Sequence, residues 1–459
     1  MTNRGFFMSV IIVGAGDVGF YLAKKLVSEK KDVLVIEKDE RKIRHLTDEI
    51  NCQVIVGSGS NPAVLKEAGI EKTEMLIAVT DSDEANIIAC VLAGLQSHVP
   101  IKIARIRQES FSSLDAQAEY NIEKLGIDLI INPERKTAEA ILNILTIPGA
   151  VEILKFLDDR VYFIGAKITQ RCRLLGIPFE ELDGLRQELD ILVGVIFRNN
   201  QMLIPKGSDV IKEGDLLYYI AKPNNVPKIM EYLGHSASSV KRVMIDGGGT
   251  IGLELAKNLE KEGVSVKIVE SDPQRCSVLI RHLDKSVVLN GQATDQELLQ
   301  QENSKNMDAF VAVTNDDENN ILSSLLAKRM GVPWAITLAN QTAYVPLVTA
   351  IGVDVVINPR LLAAGAILQY VRRGKFLSVA SLMDEIELIE VEALESSELV
   401  DKKISEIAWP ERSLALAIER GDEVIIPRGD TEIHPHDKVL LFAHKEVIPK
   451  IEKLLTLKL

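Results

Sequence analysis

The chain has 459 residues with 53 basic and 66 acidic side chains, a net charge of −13, and Lys and Arg residues scattered rather than striped. That balance argues against a nucleic-acid partner, because phosphate contact needs a concentrated basic face. The length suits several domains of roughly 100 to 200 residues each, and no window offers the ~18 to 20 continuous apolar residues that a membrane span requires.

Residues 1–7 read as a short extension, with Met8 opening the first strand; Phe6-Phe7-Met8 beside Arg4 runs into a glycine turn rather than a cleavage site. Apolar runs suited to buried parallel strands follow at Val10 to Val13, Val33 to Ile36, Val54 to Val56, Met75 to Val79, Ile101 to Ile106 and Leu129 to Ile131. Helical patterns lie between them, with Val18-Leu22-Leu26 and Ile87-Val91-Leu95 on i, i+4, i+8 spacing. Alternation of strand and helix predicts a doubly wound α/β sheet with right-handed crossovers. Short alternating strands and turns then replace this pattern, including Leu203-Ile204-Pro205-Lys206-Gly207 and the run from Lys212 to Ile220.

The second half repeats the first. Strand-like runs recur at Val243 to Ile245, Val266 to Val269, Val287 to Leu289, Ala309 to Val313, Ala335 to Leu338 and Val355 to Ile357. Ile425-Ile426-Pro427-Arg428-Gly429 and His434 to Phe442 repeat the turn-rich block. The chain is therefore expected to hold two Rossmann-like domains at 8–148 and 240–375, each followed by a small α+β module at 149–233 and 376–459. His235 to Ser239 is the one linker-like patch. Cys52, Cys90, Cys172 and Cys276 lack CxxC spacing and read as reduced core thiols of a cytosolic protein.

Each Rossmann-like half opens on a glycine loop, Gly14-Ala15-Gly16-Asp17-Val18-Gly19 and Gly247-Gly248-Gly249-Thr250-Ile251-Gly252. In such a loop the first glycine makes the tight turn, the second admits a pyrophosphate, and the third packs the helix on the sheet. A glycine turn kept only for packing is the alternative, and Asp246 just before the second loop is expected to repel phosphate there. Glu37 and Glu270 end the second strands, where a carboxylate bonds ribose hydroxyls and rejects a 2′-phosphate, favouring NAD, ATP or ADP over NADP. Ser58 and Gly59, with Asn290 to Thr294 in the second copy, are placed to pass an adenine edge or simply to turn the chain.

Thr80 and Asp81, and Thr314 and Asn315, end the fourth strands beside the switch point. The acids that follow, Asp83, Glu84, Asp316, Asp317 and Glu318, suit the first turn of a helix better than a cation site. Arg105 and Arg107 end the fifth strand in the first copy only, since Leu338 and Asn340 take those places in the second. A guanidinium pair there neutralises a polyphosphate, with surface ion pairing as the alternative. His434 and His436 lack a third ligand and read as a solvated turn. No His/Asp or Lys/Asp pair, and no nucleophilic Cys in a recognisable setting, marks a catalytic centre in the smaller modules.

Both glycine loops, Gly57-Ser58-Gly59-Ser60-Asn61-Pro62, Val64 to Gly69, Asp316 to Ile321 and Leu326 to Gly331 resemble the TrkA-type regulators of bacterial Trk potassium uptake, built from tandem regulator-of-potassium-conductance (RCK) domains. The resemblance covers the chain from Met8 to Leu455. It implies a non-enzymatic, peripheral protein on the cytoplasmic face of the membrane, which binds NAD(H) and ATP or ADP. It also implies a homotetramer that gates an integral membrane potassium transporter subunit of the TrkH/TrkG type. By the same resemblance the nucleotide-binding residues are Gly14 to Gly19, Glu37, Ser58, Gly59, Thr80, Asp81 and Arg105, then Gly247 to Gly252, Glu270, Thr314 and Asn315. The helix faces Ala138-Ile141-Leu142-Leu145 and Ala364-Ile367-Leu368-Val371 are dimer contacts or ordinary core. A regulator of another cation transporter, such as an antiporter or efflux system, and a soluble NAD-dependent oxidoreductase are the competing readings.

Overall fold

A computed structural model describes residues 9–97, 99–108, 125–199, 201–235, 239–372, 377–382 and 385–455. The extension at 1–7, Met8, Ser236 to Ser238 of the linker-like patch, and Phe376 and Met383 lie outside the described residues.

The first Rossmann-like sheet comprises β1 (Ser9–Val13), β2 (Asp32–Glu37), β3 (Gln53–Val56), β4 (Met75–Ala78), β5 (Ile101–Arg105) and β6 (Leu129–Ile131) in the order β3-β2-β1-β4-β5-β6. Every pairing in it is parallel. Val and Ile dominate because helices cover both faces, so alternate side chains of a strand are all removed from water. Ile11, Val13, Ile36, Leu76 and Ala104 pack there with Ala89 and Cys90, each large apolar side chain contributing about 1.5–3 kcal/mol.

The smaller module that follows is an antiparallel sheet of β7 (Ala150–Phe156), β8 (Val161–Lys167), β9 (Ile191–Arg198), β10 (Gln201–Leu203) and β11 (Leu216–Ala221), ordered β10-β9-β11-β8-β7. His235, placed by its sequence in a linker, is instead tied to this module: its ring nitrogen bonds the Lys167 carbonyl at 2.9 Å. The ring also lies against Gly149, where a Cβ would stand 2.2 Å from it.

The second parallel sheet holds β12 (Arg242–Asp246), β13 (Ser265–Glu270), β14 (Val287–Asn290), β15 (Ala309–Ala312), β16 (Ala335–Leu338) and β17 (Val355–Ile357) in the same order as the first, β14-β13-β12-β15-β16-β17. The second antiparallel module contains β18 (Ser378–Leu382), β19 (Ile386–Glu392), β20 (Lys402–Lys403), β21 (Ser413–Arg420), β22 (Glu423–Ile425), β23 (Glu432–Ile433) and β24 (Lys438–His444). Its main sheet is ordered β18-β19-β24-β21-β22, and β20 pairs with β23.

Contacts divide the chain into two compact units. The first comprises residues 1–138 with 339–342 and 358–368, so most of the helix Pro359–Arg372 from the second half is grouped with the first sheet. The second unit comprises the remainder and carries both antiparallel modules. Within it the modules share one core: Phe156, Phe163, Val195 and Tyr218 of one pack with Leu388, Leu416, Leu440 and Phe442 of the other. Glu419, 8 % exposed, lies at this junction and is paired with Arg160 and, at 3.0 Å, with Lys438. Ala138, Ile141, Leu145, Ala364, Ile367 and Leu368 are buried within the single chain. All four cysteines are free; Cys90, Cys172 and Cys276 are buried, whereas Cys52 is only partly so.

Candidate functional site

The first glycine loop is built by close backbone approach. Gly14 takes φ +105°, a conformation that side chains disfavour, and its N–H donates to the Ile36 carbonyl at 2.8 Å. A Cβ on Gly19 would lie 1.9 Å from the Gly14 carbonyl oxygen, so only glycine lets the helix Asp17–Ser28 start directly from the turn. Gly16 caps that helix, and a Cβ there would meet nothing nearer than Lys42 Nζ at 4.0 Å. The space beside Gly16 is thus open, while the helix amides Asp17 and Val18 begin at its edge.

Glu37 is 7 % exposed, and its carboxylate is already engaged. Oε2 accepts from the Ala15 amide at 2.6 Å, and Oε1 from the Lys38 and Asp39 amides at 2.8 and 3.0 Å. It stitches the glycine loop to the end of β2 as well as facing the cavity. Ser58 Oγ lies 2.8 Å from Ser60 Oγ, and a Cβ on Gly59 would strike Val13 at 2.3 Å. Thr80 donates from both its amide and its hydroxyl to Asn86 Oδ1, at 2.9 and 2.7 Å. Together Val13, Gly14, Gly16, Glu37, Ser58, Gly59, Thr80 and Asp81 line a cavity of about 230 Å³ at the carboxyl ends of the strands.

Its rim is charged. Asp81, largely exposed, has Arg105 Nη1 at 3.6 Å and Lys42 Nζ at 3.8 Å. Arg105 keeps only 17 % of its side chain exposed, lies 4.0 Å from Glu134, and its Nε is buried without a hydrogen-bond partner. Arg107 differs from its expected role beside Arg105. It lies past the end of β5, its amide donates to Asp83 Oδ2 at 2.8 Å, and its guanidinium donates to the Asp81 carbonyl. Asp83 accepts also from the Gln108 amide at 2.9 Å, so it fastens the chain leaving β5, while Ser82 supplies the N-cap of the helix Asp83–Gln96.

The second loop repeats the backbone and changes the lining. Gly247 again has φ +105°, and a Cβ on Gly252 would lie 2.0 Å from the Gly247 carbonyl oxygen. Gly249 is open on its side-chain face and caps the helix Thr250–Lys261, whose second residue is Ile251. Glu270 accepts from the Gly248 and Asp272 amides, both at 2.8 Å. Thr314 bonds Asn320 as Thr80 bonds Asn86, at 2.9 and 2.6 Å, and Asn315 is exposed beside it. However, Arg275 Nε donates to the Gly248 carbonyl at 2.6 Å, and Leu338, 3 % exposed, stands where Arg105 stands in the first copy.

Asp246 is 4 % exposed, and one of its oxygens has no partner. Burial pushes its carboxyl up to about 6, the Ser323 hydroxyl opposes that shift, and nearby Glu270 adds to it. The neighbouring core is polar too. Ser324 Oγ lies 2.6 Å from Thr337 Oγ1, and Ser323 and Thr337 both donate to the Asn320 carbonyl, at 3.2 and 2.9 Å. Ala89, Cys90 and Val13 hold the corresponding places in the apolar core of the first copy.

The sequence reading overlooked Asn86 and Asn320. Both are fully buried, and each bonds the end of its fourth strand and also the carbonyl closing the fifth, Arg105 at 2.8 Å and Leu338 at 3.1 Å. Their identical place after each Thr was the available signal. Elsewhere, His436 Nδ1 lies 2.9 Å from Glu392 Oε1, which raises the imidazole above its usual range. Among the described residues no cluster of three or more His, Cys, Asp or Glu is placed to hold a metal, and no helix is long and apolar enough to cross a membrane.

The TrkA-N domain model matches residues 10–133 and 243–359, and the TrkA-C domain model matches 163–234 and 388–456. Similar proteins include the Trk system potassium uptake protein TrkA of Azorhizobium caulinodans, 37 % identical over 98 % of this chain and 99 % of that protein. The protein of the same name from Halomonas elongata is 38 % identical over 97 % and 98 %. Among solved structures, the GsuK RCK domain superposes with a TM-score of 0.62 at 19 % identity, covering 99 % of this chain and 96 % of that one. The GsuK channel bound to NAD gives 0.62 at 18 % identity over 99 % and 80 %. Two tandem pairs of matched domains, and relatives alike over nearly their whole length, lead to one conclusion: the chain belongs to the family of Trk system potassium uptake protein TrkA.

Proposed function

We propose that this protein is a non-enzymatic, nucleotide-sensing regulatory subunit of a potassium uptake system. In this reading it is a homotetramer on the cytoplasmic face of the membrane, gating an integral membrane transporter subunit of the TrkH/TrkG type. The four-part division at 8–148, 149–233, 240–375 and 376–459 is its proposed organisation. Family membership supports the potassium-uptake part of the reading, since the relatives carry that name. Likeness to GsuK, whose channel is solved with NAD, supports a nucleotide as the ligand.

One observation carries the ligand assignment: Asp81, on the wall of the cavity at the first glycine loop, has the partly buried guanidinium of Arg105 3.6 Å away, and the Arg105 Nε is without a hydrogen-bond partner. A helix N-terminus and a guanidinium at the rim of one cavity form a polyphosphate cradle. Residues Gly14 to Gly19 would hold the phosphates, Glu37 the ribose, Ser58 and Gly59 the adenine edge, and Arg105 the distal phosphate, with Thr80 and Asp81 lining the site beside it. The second copy, Gly247 to Gly252 with Glu270, Thr314 and Asn315, keeps the loop and lacks the arginine. It fits a ligand of lower charge, such as NAD(H), better than ATP or ADP. A nucleotide then acts by binding unequally to two arrangements of the subunit.

The test is potassium flux in proteoliposomes holding the membrane subunit that co-purifies with this protein. Flux that depends on the added protein and changes between ATP, ADP and NADH supports the proposal. Flux indifferent to nucleotide overturns the sensing part.

A further inference from the structure

We propose that Arg360, from the second half of the chain, is a polyphosphate-sensing ligand of the first glycine-loop site. The inference rests on the nucleotide reading above. It adds a residue from outside the first Rossmann-like domain and a selectivity for phosphate number.

Arg360 lies in the first turn of the helix Pro359–Arg372, and its amide donates to the capping Asn358 Oδ1 at 3.0 Å. Residues 358–368 belong to the compact unit formed by the first sheet. There Arg360 Nη1 lies 2.8 Å from Oδ2 of Asp17. Asp17 is the first residue of the helix that rises from the first glycine loop, immediately after the open Gly16. The guanidinium is therefore paired with the residue that opens the helix whose first amides would receive phosphate.

Charge explains why it is there. In the empty loop, an acid at a helix N-terminus is favoured by the helix dipole, but beside a bound phosphate the same carboxylate is repulsive. Arg360 cancels that repulsion, and as phosphate charge grows it gains more by sharing its donors between Asp17 and the ligand. The pair is partly exposed, at 40 % and 64 % of the two side chains, so it is weakly held and free to exchange partners.

The repeat shows that this placement is not a general helix-start feature. Aligning Asn132-Pro133 on Asn358-Pro359 puts Glu134 at the position of Arg360. Glu134 faces Arg105, whereas Arg360 faces Asp17. The same helix position thus carries opposite charge in the two halves, and the cation is the one delivered to the first loop. Arg105 and Arg360 would then grip a distal phosphate from separate halves of the chain, and exchange for a nucleotide that lacks it would release the helix Pro359–Arg372 from the first domain.

The test titrates the full-length protein with AMP, ADP and ATP, following hydrogen exchange of the peptide containing residues 14–20, which reports this loop and not the second. Arg360→Ala is expected to weaken ATP by about tenfold or more and AMP by less than about twofold, the effect of losing one charge-assisted contact. Arg360→Lys is expected to restore most of the ATP preference, and Asp17→Asn to tighten ATP by a few fold, about the size of one relieved repulsion. An ATP-to-AMP ratio unchanged in Arg360→Ala overturns the inference alone, as does an equal loss for both nucleotides, which would mark Arg360 as structural. Wild-type protein whose loop responds to no nucleotide overturns the underlying reading as well.

Discussion

Arg105 and Asp246 show how one backbone is tuned by single side chains. Arg105 is partly buried and charged, and its buried Nε is short of a hydrogen-bond partner, a costly arrangement unless a ligand supplies the missing acceptor. Arg105→Ala is accordingly expected to weaken ATP binding by about 1.5–3 kcal/mol, roughly ten- to a hundredfold, read by calorimetric titration; an unchanged affinity removes Arg105 from the site. Asp246 carries the opposite lesson. Its carboxyl is raised to about 6, so the folded state holds a proton that the unfolded chain has released above pH ~4. The stabilisation is complete below pH ~4 and is lost as pH rises through about 6, a change on the order of 3 kcal/mol. Asp246→Asn removes this dependence, and its melting temperature is expected to exceed that of wild type by a margin that grows from pH 4 to pH 7. A constant margin across that range would contradict the assignment.

At the scale of single elements, the decisive features are close approaches and repeated tethers. Gly19 allows the first helix to leave the turn with no gap, and Gly19→Ala would press a methyl 1.9 Å from a carbonyl oxygen. Such overpacking costs typically about 1–3 kcal/mol or more, so this variant is expected to melt earlier and to bind nucleotide weakly. The antiparallel modules, whose repeated turn-rich block was legible in the sequence, also share an Arg–Asp pair that spacing does not reveal. Arg198 grips Asp215 with two bonds of 2.8 and 2.7 Å, and Arg420 grips Asp437 with bonds of 3.0 and 2.7 Å. Both acids are nearly inaccessible, at 1 % and 2 % exposure. Each Asp also takes a turn amide, Lys212 or His434, at 2.8 Å. Removing one partner strands a buried charge, so Arg420→Met should destabilise the second module by about 3–5 kcal/mol. Thermal unfolding of the full chain measures it.

For the whole molecule, the two antiparallel modules are not independent lobes of the second unit. Leu416 is fully buried in their joint core, with Phe163 and Val195 across from it. Leu416→Asp would place an unpaired carboxylate in that core, and separation of the modules is the cheaper outcome. Limited proteolysis should then release fragments that wild type protects, while the first Rossmann-like domain keeps its nucleotide response. Loss of every response together would show that the modules fold only as one body.

The order of elements in each Rossmann-like half was legible because buried parallel strands need unbroken Val and Ile runs and their turns need glycine at fixed places; Leu129–Ile131, Ala335–Leu338 and Val355–Ile357 match the apolar runs residue for residue. The unequal chemistry of the halves was legible too, since Arg105 against Leu338 and Val13 against Asp246 are plain in the alignment. What spacing does not encode is which distant groups meet. That Glu37 closes on the loop amides, that Arg107 turns to Asp81 and Asp83, and that His235 closes onto Gly149 follow from packing. The meeting of Arg360 with Asp17 was decided in the same way. Local periodicity is set by water exclusion along one element, whereas charge pairing across hundreds of residues is set only when the tertiary fold fixes their separation.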